Sequence, residues 1–119
     1  HRHAGAAEVL VTSRHRWALM HENRGRPEPA LDQVLDVMTP VDLVLVEGFK
    51  TEPIDKLEVH RHAAGKALLC EGDRHIVAVA SDTELPALDL PVFGLDDVEA
   101  IADFILARCG LQTLRRGAA

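Results

Sequence analysis

Val41-Asp42-Leu43-Val44-Leu45-Val46-Glu47-Gly48-Phe49-Lys50 carries the clearest architectural signal in the chain. Four consecutive apolar residues, Leu43–Val46, run directly into a carboxylate and a glycine, with a lysine close behind. A run so short and so continuously apolar fits a strand buried on both faces, as in a parallel sheet covered by helices. Ligands of open α/β sheets bind beyond the carboxyl ends of the strands, which places Glu47, Gly48 and Lys50 where a site is expected. An acidic residue at that point can hold a magnesium ion through water, and a glycine lets backbone approach a phosphate. The bland alternative is that acidic and glycine residues simply terminate a buried strand.

The flanking sequence supports an α/β fold with a mostly parallel sheet, flanking helices and a β-hairpin insertion. Upstream, Leu31, Val34, Leu35 and Met38 fall on one face of a helix spanning 30–38, which Thr39-Pro40 ends before the next strand. Farther back, 8–12 and 17–21 read as two strands joined through Ser13–Arg16, a hairpin whose basic tip is ordinary solvated surface. His1–Ala7 reads as the tail of a helix or a loop.

Downstream, 57–60 alternates like a strand with one wet face, which would leave Glu58 and His60 in water. Residues 67–70 read as a short strand, and Ile76–Ala80 as the second fully buried one, ending in Ser81-Asp82. Residues 91–93 suit an edge strand. Val98, Ile101, Ala102, Ile105, Leu106 and Cys109 trace the stripe of a final helix, with Asp96 and Glu99 at N-cap and N3 spacing and Gly110 as its stop. Arg115 and Arg116 fall in a short frayed tail.

At 119 residues with 47% apolar content, one domain with a real core is expected over 1–119. No apolar run reaches the roughly 20 residues of a membrane helix. No signal peptide opens the sequence, and Cys70 and Cys109 alone build neither a disulfide framework nor a zinc site, so a cytoplasmic protein without a membrane partner is expected. The net charge of −6 argues against a nucleic-acid partner. Charge is uneven, however: residues 1–27 hold five arginines against Glu8 and Glu22, and the opening segment can meet an anion.

Three constellations bear on chemistry. Glu47 supplies the remote carboxylate of a nucleotide site, yet no G-x-x-x-x-G-K-[ST] cradle occurs in the chain. Asp82, after Ser81, can accept from the N1–H and 2-amino group of guanine, a donor pair adenine lacks; equally, Ser81 or Asp82 caps the turn Ser-Asp-Thr-Glu. His60 and His62, like His1 and His3, are spaced to share a strand face, but nothing with ligand spacing accompanies them. The cysteines read as core residues, and no G-x-S-x-G elbow exists.

Taken in order, Arg2–Ala6, Trp17–Glu22, Asp42–Lys50, Lys56–Arg61 and Val77–Asp82 resemble the MobB family of molybdopterin-guanine dinucleotide biosynthesis adaptors, most distinctively in V-E-G-F-K and K-L-E-V-H-R. The resemblance implies a P-loop GTP-binding fold, usually a homodimer, that assists a MobA-like guanylyltransferase, with molybdopterin as a further ligand. It implies GTP and Mg2+ as cofactors, Glu47 as the magnesium carboxylate acting through water, and Gly48 near the γ-phosphate. Asp82 falls near the base and Arg2 in an anion-binding segment.

The family's first strand, P-loop and following helix have no counterpart here, so by resemblance the fold is P-loop NTPase-like but N-terminally truncated. At most weak GTPase activity is then expected. A chain lacking the strand beside Leu43–Val46 is expected to be unstable, aggregated or completed by a second copy. Two other readings stand beside the adaptor: a P-loop hydrolase or kinase when full length, and a regulatory α/β module that binds an anionic pterin or nucleotide through its amino-terminal arginines.

Overall fold

A computed structural model describes residues 1–111, which form two compact units, His1–Thr39 and one beginning at Pro40. Arg115 and Arg116 lie outside the described residues. In the first unit, β1 (Glu8–Thr12) and β2 (Trp17–His21) form the expected antiparallel hairpin, with Leu10 opposite Leu19 and Thr12 opposite Trp17. The tip closes because the Ser13 N–H donates to the Arg16 carbonyl at 2.8 Å while the Ser13 hydroxyl folds back onto the same residue. Apolar side chains stand on both faces of this ribbon, and Leu10, Val11, Trp17, Leu19 and Met20 are all exposed. Residues 30–38 give a shorter helix than the periodicity suggests, α1 (Leu31–Leu35), continued as turns to Met38. Its first turn is fixed by Gln33, whose side-chain oxygen accepts the Ala30 N–H at 2.9 Å.

The second unit is built on a three-stranded, wholly parallel sheet: β3 (Lys56–His60), β4 (Ile76–Ser81) and β5 (Val92–Gly94), in that order. The run Ile76–Ala80 earns its central place by composition. Ala78, Val79 and Ala80 are buried, Val79 completely, because both sheet faces are covered there. On one face, Phe93 of β5 meets Phe104 of α2 (Val98–Arg108) with ring centroids 5.4 Å apart and planes tilted by 56°. Register puts Glu58, Val79 and Val92 on the other face.

Several expectations fail here. Leu43–Val46 is not a paired strand: no described strand lies alongside it, and Val44 and Leu45 are exposed. An apolar run becomes a strand only when a neighbour takes its backbone groups. In β3 the wet and dry faces are reversed, since Glu58 is buried and Val59 exposed. The Glu58 carboxylate accepts the N–H groups of Leu69 at 2.7 Å and Cys70 at 2.9 Å, so these amides go to a side chain and not to a strand ladder, and 67–70 is irregular chain leading into a turn. The α2 N-cap is Asp97, not Asp96, and makes no side-chain cap, because the turn from Gly94 to Asp97 delays the helix by a residue. Gly110 does stop the helix, with φ of +69°. Cys109 is exposed in the closing turn and not in a core, and His62 opens a 3-10 turn, His62–Ala64, so it shares no strand with His60.

Two ion pairs fasten the amino-terminal end of this sheet. Arg108 Nε reaches Asp55 Oδ2 at 2.7 Å, and Lys56 Nζ reaches Asp73 Oδ2 at 2.8 Å. The Lys56 hydrogen bond, assisted by the His75 N–H, holds the Asp73 carboxyl below the ordinary aspartate range. A carboxylate depressed on folding stabilises the protein above its unfolded pKa of about 3.9 and loses that contribution as pH falls through the folded value. Asp73→Asn is therefore expected to lower the melting temperature at pH 7 and to flatten its acid dependence below about pH 4. Thermal melts across that window check it, and parallel curves for the two proteins would refute it.

Candidate functional site

The carboxyl ends of the three parallel strands open into a cleft of about 510 Å³. Arg61 enters it from just beyond β3, Ser81 and Asp82 from the end of β4, and Gly94 to Asp97 from the end of β5. The last strand pairs across the sheet are His60 with Ser81 and Ser81 with Gly94, so the cleft-lining residues emerge from one row. Ser81 is buried and caps the following turn, its Oγ accepting the Thr83 N–H at 3.1 Å. Asp82 is exposed, but its carboxylate is oriented: Oδ1 accepts the backbone N–H of His62 at 2.9 Å. Ser81 thus supplies the turn cap, while Asp82 lines the cleft.

One cation, Arg61, lines this space together with Asp82, Asp96 and Asp97. A lining that offers both carboxylate acceptors and a guanidinium suits a neutral heterocycle carrying both donors and acceptors. As site residues Arg61, Asp96 and Asp97 were not expected: Arg61 entered only as the end of the Lys56–Arg61 segment and Asp96 only as a helix cap. The signal was available for Arg61, which follows a strand's carboxyl end just as Asp82 does.

Glu47, Gly48 and Lys50 do not line the cleft. They lie on an exposed reversal in which Gly48 has φ of +88° and Phe49 +48°, closed by the Glu52 N–H on the Phe49 carbonyl at 3.1 Å. A left-handed phenylalanine is uncommon, and the glycine before it takes the same region without a Cβ penalty. Among the described residues, no three His, Cys, Asp or Glu side chains converge as a metal cage. Glu47 is a single exposed carboxylate, which can hold a magnesium ion only through water and with ligands from elsewhere. Arg2 belongs to the first unit and pairs with Glu22 at 3.3 Å.

A smaller hollow of about 280 Å³ lies at the opposite strand ends, beside Cys70, Asp73, Ile76 and Leu90. Burial first, then the neighbouring Glu58 carboxylate, pushes the Cys70 thiol up, which favours the inert thiol over the nucleophilic thiolate. No helix among the described residues is long and apolar enough to cross a membrane.

A parallel sheet with a polar cleft at its carboxyl edge defines an α/β fold of the general type to which nucleotide-binding sheets belong. The family model described as "Molybdopterin guanine dinucleotide synthesis protein B", MobB, matches residues 1–82. The chain is 44% identical over 110 residues to the molybdopterin-guanine dinucleotide biosynthesis adapter protein of Escherichia coli (strain K12), covering 88% of this chain and 61% of that protein. It is 40% identical over 105 residues to the protein of the same name from Haemophilus influenzae (strain ATCC 51907 / DSM 11121 / KW20 / Rd), covering 86% of this chain and 56% of the relative. The chain belongs to the MobB family.

Proposed function

We propose that this chain is the base-reading part of a GTP-binding adaptor in molybdopterin-guanine dinucleotide biosynthesis, acting beside a MobA-like guanylyltransferase. The observation that carries the reading is Asp82, oriented by the His62 N–H at the mouth of a cleft that ends three parallel strands. A carboxylate so held accepts the paired N1–H and 2-amino donors of guanine and finds no such pair on adenine. Glu47 serves the magnesium of the bound nucleotide, with Gly48 and Lys50 on the phosphate side. The exposed apolar side chains on both faces of the β1–β2 ribbon support a homodimer. Relatives are called adapters, which supports a partner-dependent role with little turnover of its own.

The test is calorimetric titration of the complete gene product with GTP and ATP in magnesium, followed by co-purification with the guanylyltransferase. Selective GTP binding, hydrolysis near background and a stable complex are expected. Equal affinity for ATP would remove the role given to Asp82, and rapid turnover without the partner would make the protein an enzyme in its own right.

A further inference from the structure

We propose that Arg61 is the second base-reading residue of the cleft, donating to the O6 and N7 acceptors of guanine while Asp82 takes the N1–H and 2-amino edge. The inference rests on the guanine reading above and adds the group that chooses among rings Asp82 cannot tell apart.

Placement comes first. His60 and Ser81 are direct register partners, so Arg61 and Asp82 are the first residues beyond the ends of the adjacent parallel strands β3 and β4. The His62 N–H on Asp82 Oδ1 then ties the turn that follows Arg61 to the carboxylate. Arg61 takes part in none of the four ion pairs among the described residues, and it is the only cation among the residues lining the cleft. Its charge is uncommitted at the place where a ligand's acceptors would arrive.

Ligand chemistry supplies the reason for a second reader. The 2-amino-4-oxopyrimidine edge of guanine recurs unchanged in pterins, so a carboxylate matched to one is matched to both. The rings differ on the far side of the shared oxygen. Guanine presents O6 and N7, two acceptors set to receive a guanidinium fork. Adenine carries an amino donor at position 6, and a tetrahydropterin carries N–H where guanine has N7. A guanidinium there favours guanine over both.

Replacing N7 by C–H, as in 7-deaza-GTP, removes one Arg61 acceptor and leaves the Asp82 edge intact; inosine triphosphate lacks the 2-amino group and does the reverse. The complete gene product and its Arg61→Ala variant are titrated with GTP and both analogues in magnesium, with folding confirmed by circular dichroism. The wild type is expected to bind 7-deaza-GTP about tenfold more weakly than GTP. In Arg61→Ala, GTP should weaken by about tenfold or more, the 7-deaza difference should vanish, and the inosine penalty should persist. A tetrahydropterin competing with GTP should gain ground in the variant. Equal wild-type affinity for GTP and 7-deaza-GTP, or a difference that survives in Arg61→Ala, overturns the role of Arg61; a retained inosine penalty would leave the guanine reading standing. Loss of both discriminations, or no GTP binding at all, overturns the two together.

Discussion

Glu58→Ala is expected to cost about 2–4 kcal/mol of folding stability, the sum of orphaning two shielded amides. The carboxylate sits in β3 with the residue only 8% exposed, and it is the acceptor for both Leu69 and Cys70. Removing it leaves those N–H groups facing the cavity the side chain occupied, and unties the turn they belong to from β3. Glu58→Gln should cost less: its carbonyl still accepts one amide, but its NH2 confronts the other. Urea denaturation gives the free energies, and hydrogen exchange locates them, since the Leu69 and Cys70 amides should lose protection before the amides of β4. If Glu58→Ala falls within about 0.5 kcal/mol of wild type, as ordinary surface substitutions do, the clamp has no energetic role.

Asp82→Asn in the complete gene product is expected to weaken GTP by about a hundredfold and to raise affinity for xanthosine triphosphate. Guanine offers two donors to the carboxylate. An asparagine keeps an acceptor for N1–H and for the His62 amide, so the local geometry survives, but its NH2 meets the 2-amino group donor to donor. Xanthine has an oxygen at that position, and the mismatch becomes a match. Asp82→Ala should lose GTP without gaining xanthosine triphosphate. Competition binding with both nucleotides reads the exchange directly; undiminished GTP affinity in Asp82→Asn would end the case for this carboxylate as the base reader.

Two apolar runs of similar composition had different fates, and the contrast shows what pattern reading can see. Ile76–Ala80 and Leu43–Val46 both look like buried strands, but only the first has β3 and β5 to share its backbone groups. Periodicity reports which surface a segment wants to hide and says nothing of whether a neighbour is there. In β3, alternation located the strand and misjudged its faces, because hydropathy counts a carboxylate as wet even when two amides wait for it across 11 and 12 residues of sequence. The carboxyl-end rule served better: it led to Ser81 and Asp82, which do line the cleft, and to Glu47, Gly48 and Lys50, which do not. Arg61 stood out only as the end of the Lys56–Arg61 segment; its place in the cleft went unseen because an arginine after an alternating strand resembles ordinary surface until the register sets it next to the end of β4.

The hydrogen bonds at Asp82 and Glu58 share a property that bears on how this sequence can drift. In each, the acceptor is a particular side chain, whereas the donor is main chain, at His62 for one and at Leu69 and Cys70 for the other. Main-chain donors survive every replacement except proline. The genetic cost of these contacts is therefore one-sided: positions 58 and 82 are constrained to a carboxylate or its near equivalent, while positions 62, 69 and 70 stay free to change for other reasons without loosening either loop.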